Sequence, residues 1–295
     1  MKTQVSRTGV GRALLLSAGL LMACGSGGSG ELRVLASGGD EASRGLPSSE
    51  LVDGWSIQFD RYLVSLKDLR LSRDGTLVAE GLTPARVVDL TGGAVELEVL
   101  EDLPAGRLEL SYAIAPPGED AVAGPGVEAA DLASMRAGGL SYLLEGVATK
   151  PPFAPVRFRF GFSEAVTMED CTNGVDGTQG VVIPASSRAE AELTLHVEHL
   201  FYDRLGTHSG VSLRFEALAA MADAQGTLTL EALEDQPVLE PVGMDGNRLL
   251  DDDGTPVLYD PGASSVTHLA DFLRVSIRDQ GHLNGGGLCT IIRSN

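Results

Sequence analysis

Apolar and polar side chains alternate with a period of two along much of the first two thirds of the chain. Trp55, Ile57 and Phe59 alternate with Ser56, Gln58 and Asp60. Val95, Leu97 and Val99 alternate with Glu96 and Glu98, and Leu108, Leu110 and Tyr112 with Glu109 and Ser111. The clearest run interleaves Val156, Phe158, Phe160 and Phe162 with Arg157, Arg159 and Gly161; Ala191, Leu193, Leu195 and Val197 repeat it against Glu190, Glu192, Thr194, His196 and Glu198. Successive strand side chains point to opposite faces, so each run gives one apolar and one wet face. Asp74-Gly75, Gly92-Gly93, Pro104-Ala105-Gly106 and Pro116-Pro117-Gly118 separate the runs with turn residues. The pattern predicts a mainly β protein, an antiparallel β-sandwich.

The period changes near Ser212. Leu213, Phe215, Leu218, Ala219 and Met221 suit a helix, and helical segments are expected at about 212–234 and 265–279, the second capped by Ser265 with Leu269, Phe272, Leu273 and Ile277 on one side. Within the first of these, Asp223 to Gly226 make a loop before a second helical start at Thr229 to Glu234; the arrangement is similar to an EF-hand, but only Asp223 remains among its early acidic ligands and Ala232 stands where a bidentate Glu belongs, so calcium is not expected. Asp245-Gly246-Asn247 and Asp251-Asp252-Asp253-Gly254 read as solvated turns.

The N-terminus carries an address. Lys2, Arg7 and Arg12 precede an apolar run from Ala13 to Met22 that is too short to span a bilayer, which marks a secretion signal over residues 1–23. Leu21-Met22-Ala23-Cys24 resembles the lipobox of bacterial lipoproteins, which implies lipidation of Cys24 and membrane attachment through that N-terminal lipid. Gly25 follows, where lipoproteins retained at the inner membrane carry Asp, so the resemblance implies the outer membrane, facing the periplasm or the cell surface. Residues 24–30 are Gly/Ser-rich and expected to form a tether, leaving 31–295 as a single β-sandwich domain.

Charge narrows the partners. The chain has 41 acidic and 22 basic residues, a net charge of -19, and loss of the signal makes it three charges more negative. Such a body repels nucleic acid and anionic headgroups, which leaves an envelope protein or a glycan as macromolecular partners. With Cys24 assigned to the lipid, Cys171 and Cys289 remain for an oxidising compartment and are expected to pair as a disulfide; free thiols or soft metal ligands are the alternative.

Catalytic motifs are missing: the sequence has no Gly-x-Ser-x-Gly elbow, phosphate-binding loop, dinucleotide fingerprint or His-Glu-x-x-His helix. A surface hydrolase would need carboxylates whose separation the sequence does not reveal, and a non-enzymatic binding protein is expected. One segment concentrates metal-binding chemistry, His196-Val197-Glu198-His199-Leu200-Phe201-Tyr202-Asp203, with two of only five histidines. On a continuous strand His196 and His199 face opposite ways; a bulge or a helical turn from Glu198 brings them together and sets His199 and Asp203 at i and i+4. His196, His199 and Asp203 are therefore the candidate metal ligands, for copper before zinc, with His208 and His282 available to complete the shell. The alternative is a pair of surface or capping histidines beside acidic groups.

The stretches Phe59 to Leu71, Val87-Val88-Asp89-Leu90 and Leu103-Pro104-Ala105-Gly106-Arg107 resemble the opening strands of the periplasmic methanobactin-partner-like proteins. Phe158-Arg159-Phe160-Gly161 and Leu193-Thr194-Leu195-His196-Val197 with Leu200-Phe201 resemble later strands in the same order, so the similarity spans roughly residues 55 to 203. It implies a β-sandwich and, for some members, copper binding. The chain departs from the family at Phe160, where the family tends to place a histidine, and at Leu140-Ser141-Tyr142-Leu143, which replaces a tryptophan-rich segment.

Overall fold

The alternating runs fold as strands of two sheets in a computed structural model that describes residues 28–293. The signal segment, Cys24 and most of the tether lie outside the described residues. In chain order the first elements are β1 (Ser29–Ser37), α1 (Gly39–Arg44), β2 (Ser56–Arg73), β3 (Thr76–Gly81), β4 (Arg86–Asp89), β5 (Val95–Pro104), β6 (Gly106–Ile114) and β7 (Val122–Ala123). Next come α2 (Ala129–Gly138), β8 (Tyr142–Thr149), β9 (Val156–Phe162), β10 (Val166–Glu169), β11 (Val181–Ile183) and β12 (Arg188–Leu195). A 3-10 turn over Val197–Phe201 leads to α3 (Glu216–Ala219), β13 (Thr227–Thr229) and a second 3-10 turn, Glu231–Asp235. The chain finishes with α4 (Leu269–Ser276), the 3-10 turn Ile277–Asp279, β14 (Gly281–Leu283), β15 (Gly287–Leu288) and β16 (Thr290–Arg293).

One sheet has five strands in the order β15-β14-β12-β1-β5. The other has eleven, along the path β13-β9-β8-β2-β6-β10-β16, with β3, β4, β7 and β11 attached off it. The 18-residue β2 is the spine of the larger sheet, pairing with β8, β6, β3 and β4. Among the described residues no helix is long and apolar enough to cross a membrane.

The structure corrects the sequence expectations in several places. Pairing is not antiparallel throughout: β1 runs parallel to β12, β13 to β9 and β4 to β7. These partners are joined by connections much longer than a hairpin, which allow a strand to enter in either direction. Helices are not confined to the C-terminal end, since α1 and α2 lie in the first half. The tether ends sooner than expected, because Ser29 and Gly30 pair with Pro104 and Leu103 in β1. A Cβ on Gly30 would sit 2.2 Å from the Pro184 carbonyl oxygen, so glycine here permits a close backbone approach.

Of the helical segments expected at about 212–234, Glu216–Ala219 is α-helical and Glu231–Asp235 a 3-10 turn, with the expected loop at Asp223 to Gly226 between them. Asp223 Oδ1 accepts the backbone N–H groups of Gln225 and Thr227, an arrangement that competes with helical hydrogen bonds. The Asp245 and Asp251 carboxylates accept backbone N–H groups in the same way. The second helix begins at Leu269, not after Ser265, because the Val238 N–H bonds to the Thr267 carbonyl and the Leu269 N–H to that of Gln236. Cys171 and Cys289 are joined as a disulfide across 118 positions of sequence, which removes them as thiol ligands.

Inward-facing aromatic side chains form the heart of the core. Phe158 lies 5.3 Å from Phe160, 5.9 Å from Phe215 and 6.4 Å from Phe201 between ring centroids, and Phe59 joins the group from β2. Phe158 and Phe201 are almost wholly buried. Truncating Phe158 removes a ring that four other aromatics touch, and Phe158→Ala is expected to lower unfolding free energy by about 3–5 kcal/mol in urea. Leu77→Ala, at a half-exposed position, is expected to stay within about 0.5 kcal/mol.

Candidate metal centre

The centre begins where β12 stops. His196 is extended, and the following residues wind into a 3-10 turn because Val197, Leu200 and Phe201 all have buried sites to fill. A 3-10 turn has three residues per turn, so positions i and i+3 eclipse. The rings of His196 and His199 accordingly stack at 5.2 Å, with an interplanar angle of 10°. The expectation that a turn here unites these two histidines is met.

Two further histidines arrive from elsewhere. His282 lies on β14, directly across from Thr194 on β12, and its ring centroid is 4.7 Å from that of His196 and 5.4 Å from that of His199. His208 sits on the loop after the 3-10 turn, 4.6 Å from the His199 ring and 5.4 Å from the His282 ring. Four of the five histidines thus share one site. The fifth, His268, flanks the start of α4 and hydrogen-bonds through Nδ1 with Thr267 Oγ1.

Two overlapping groups of donor atoms result, His199 with His208 and His282, and His196 with Glu198 and His199; the atoms of each lie within 4.8 Å of one another. Hydrogen bonding separates their chemistry. His199 Nδ1–H donates to the Asp279 carbonyl at 2.8 Å, which leaves the Nε2 lone pair as its ligand atom. His282 Nδ1 is buried and meets no hydrogen-bond partner among the described residues, a costly position that metal coordination would satisfy. His196 is engaged at both nitrogens, Nδ1 with the Glu198 carboxylate at 2.8 Å and Nε2 with the Gly285 carbonyl at 3.3 Å. Both partners are acceptors, which favours the protonated ring and makes His196 a poorer ligand than its neighbours.

Charge follows the same division. Burial pushes His199 down to about 3, aided by the facing His196, His208 and His282 and opposed by its bond to Asp279. Burial likewise brings His282 to about 4, with His196 and His208 adding to the effect. For His196 burial is the largest influence and lowers the value, but the Glu198 hydrogen bond and charge, the Gly285 carbonyl and Glu41 together raise it above its ordinary position. Asp279 is held above its usual range by burial, against the pull of His208, whose Nε2 lies 3.6 Å from its carboxylate.

Asp203 does not join the histidines, which corrects its assignment as a ligand. The turn ends at Phe201 and Tyr202 is extended, so the i, i+4 relation to His199 is lost. Its carboxylate instead accepts the Ser212 N–H at 2.9 Å and Arg214 Nε at 3.0 Å, closing the base of the loop that carries His208. Asp279 was the group the sequence concealed: it supports His199 through its carbonyl, and its carboxylate faces His208. A cleft of about 450 Å³, lined in part by His199, His208, Tyr202 and Asp279, opens the centre to solvent.

Comparison with known protein families, with curated proteins and with solved structures finds no match. The functional conclusion therefore rests on this geometry.

The buried neutral rings predict an acid-sensitive fold in the metal-free protein. His199 and His282 titrate near 6.5 when unfolded and at about 3 and 4 when folded. Between those limits the unfolded chain binds more protons, so stability falls as pH drops below 6.5. His196 works in the opposite sense, contributing stability at low pH that is lost as pH rises through its raised folded value. Urea unfolding of His282→Asn should show a shallower loss than wild type between pH 6.5 and 4, the difference being on the order of a few kcal/mol. Equal slopes would contradict a buried, neutral His282.

Proposed function

We propose that the protein is a lipid-anchored, non-enzymatic β-sandwich of the bacterial cell envelope, at the outer membrane, that binds a transition metal through His199, His208 and His282. The convergence of three imidazoles from the turn after β12, a loop and β14 carries the proposal. Supporting it, two of the three are kept uncharged by burial, and a metal ligand must be unprotonated. His199 has its second nitrogen tied to a carbonyl, the usual outer support of a ligating histidine. Three protein nitrogens with one open side suit zinc or copper, and copper(II) is the tighter binder for a given nitrogen site.

Nitrogens around a tetrahedral ion at 2.0–2.1 Å are about 3.3 Å apart, so binding contracts the group. His208 supplies most of this movement, being the partly exposed member on a loop. His196, paired with Glu198, stands behind the site. The address rests on the lipobox-like segment at Cys24, and the resemblance to methanobactin-partner-like proteins agrees with the β-rich fold.

The test is metal content by mass spectrometry of the body without signal and lipid, purified without immobilised nickel and dialysed against copper and zinc. One equivalent is expected in wild type and in His268→Ala, and none in His199→Ala with His282→Ala. A variant that folds, by circular dichroism, and still holds one equivalent would overturn the site. A metal-free wild type would point to an envelope interaction module that binds protein or glycan.

A further inference from the structure

The cleft in front of the histidines has a charge opposite to that of the whole molecule. Arg204, Arg278 and Arg293 line it and Asp279 is the one acidic residue among its lining, in a chain with 41 acidic and 22 basic residues. Arg293 has no ion-pair partner among the described residues, and Arg278 leaves donors unused. Its one ion pair, to Glu164, is 3.6 Å long, beyond hydrogen-bond range, although Arg278 is only partly exposed. Arg204, in contrast, is held by Asp260 at 3.2 Å. Arg278 is also adjacent in sequence to Asp279, whose carbonyl orients His199, so the guanidinium belongs to the 3-10 turn that supports one of the metal ligands.

From this we infer that the open coordination position is a binding site for a small oxyanion, a carboxylate or phosphate, with one oxygen on the metal and another on the Arg278 guanidinium. The inference rests on the metal proposal above. A planar guanidinium with several N–H donors matches the paired oxygens of such anions. Three neutral imidazoles leave a bound divalent ion with its full charge, and the arginines add to it, so an anion entering the cleft meets an attractive field in an otherwise acidic molecule.

The experiment uses the body loaded with cobalt(II), whose visible spectrum reports its ligands. Acetate and inorganic phosphate are titrated at constant ionic strength with perchlorate as the balancing salt. The expected result is a saturable spectral change with at least one of the two, weakened about tenfold or more in Arg278→Gln and largely retained in Arg278→Lys. Histidine-dependent uptake of one cobalt with no spectral response to either anion would overturn this inference and leave the metal site standing. Absence of histidine-dependent cobalt uptake would overturn both. An anion response unchanged in Arg278→Gln would remove the arginine from the site. If Arg278→Gln does not fold, Arg278→Met takes its place, with the same loss of anion affinity expected and an unchanged affinity removing the arginine from the site.

Discussion

Burial of Phe201 is the contact on which the polar centre depends. Its ring lies 6.1 Å from Phe59, 6.4 Å from Phe158 and 6.0 Å from Phe215, joining β2 and β9 of the larger sheet to the turn that leaves β12 of the smaller one. With Val197 and Leu200 also buried, this short segment cannot stay extended, because alternation would turn one of its apolar groups toward water. A 3-10 turn satisfies all three, and its threefold repeat stacks His196 on His199 as a by-product. The chemistry is thus positioned by hydrophobic packing rather than by attraction among the histidines, which repel one another when protonated.

That repulsion shapes the electrostatics. Four imidazoles within one site cannot all carry protons, and the structure divides the charge by hydrogen bonding. Glu198 and the Gly285 carbonyl favour the protonated ring of His196, while His199 and His282, more deeply desolvated, stay neutral. His199, which lines the cleft, is left with its Nε2 lone pair free for an ion. The same separation explains why the acidity of the chain as a whole says little about the site: many of the acids sit on wet faces and turns, and Asp203, Asp223, Asp245 and Asp251 turn their carboxylates to backbone N–H groups.

The fold was legible where one local force dominates. Alternation located β2, β5, β6, β9 and β12, since a half-buried strand writes its two faces directly into the sequence. It gave no warning of parallel pairing between β1 and β12, which depends on where distant segments meet. The helical spacing after Ser212 was legible as α3 and the 3-10 turn Glu231–Asp235 with the Asp223 to Gly226 loop between them, though neither runs as long as its apolar spacing suggested. At the site the pair His196 and His199 was readable from spacing and a turn. Asp203 was misjudged because the turn stops after five residues, before an i+4 partner comes round. The closeness of His208 and His282 came from loop closure and from strand register, neither of which is a local signal.

Register is what places His282, and the C-terminal segment shows how tightly it is held. Gly281, His282 and Leu283 pair with Leu195, Thr194 and Leu193, so a slip of one residue would turn the imidazole to the other face of the sheet. The backbone then packs against the 171–174 segment: the Gly174 N–H bonds to the Leu283 carbonyl and the Thr172 N–H to that of Leu288. A Cβ on Gly287 would lie 1.9 Å from the Thr172 carbonyl oxygen, so no side chain fits there. The Cys171–Cys289 bond closes the same pair of segments covalently. Backbone contact, a required glycine and a disulfide all converge within a few residues of His282, and their common effect is to remove the register freedom that a three-residue strand would otherwise have. His208, on its loop, has no such restraint. The centre therefore combines two ligands fixed by the sheet and its turn with one that can close on an ion, which reconciles a rigid fold with a donor group wider than a coordination sphere.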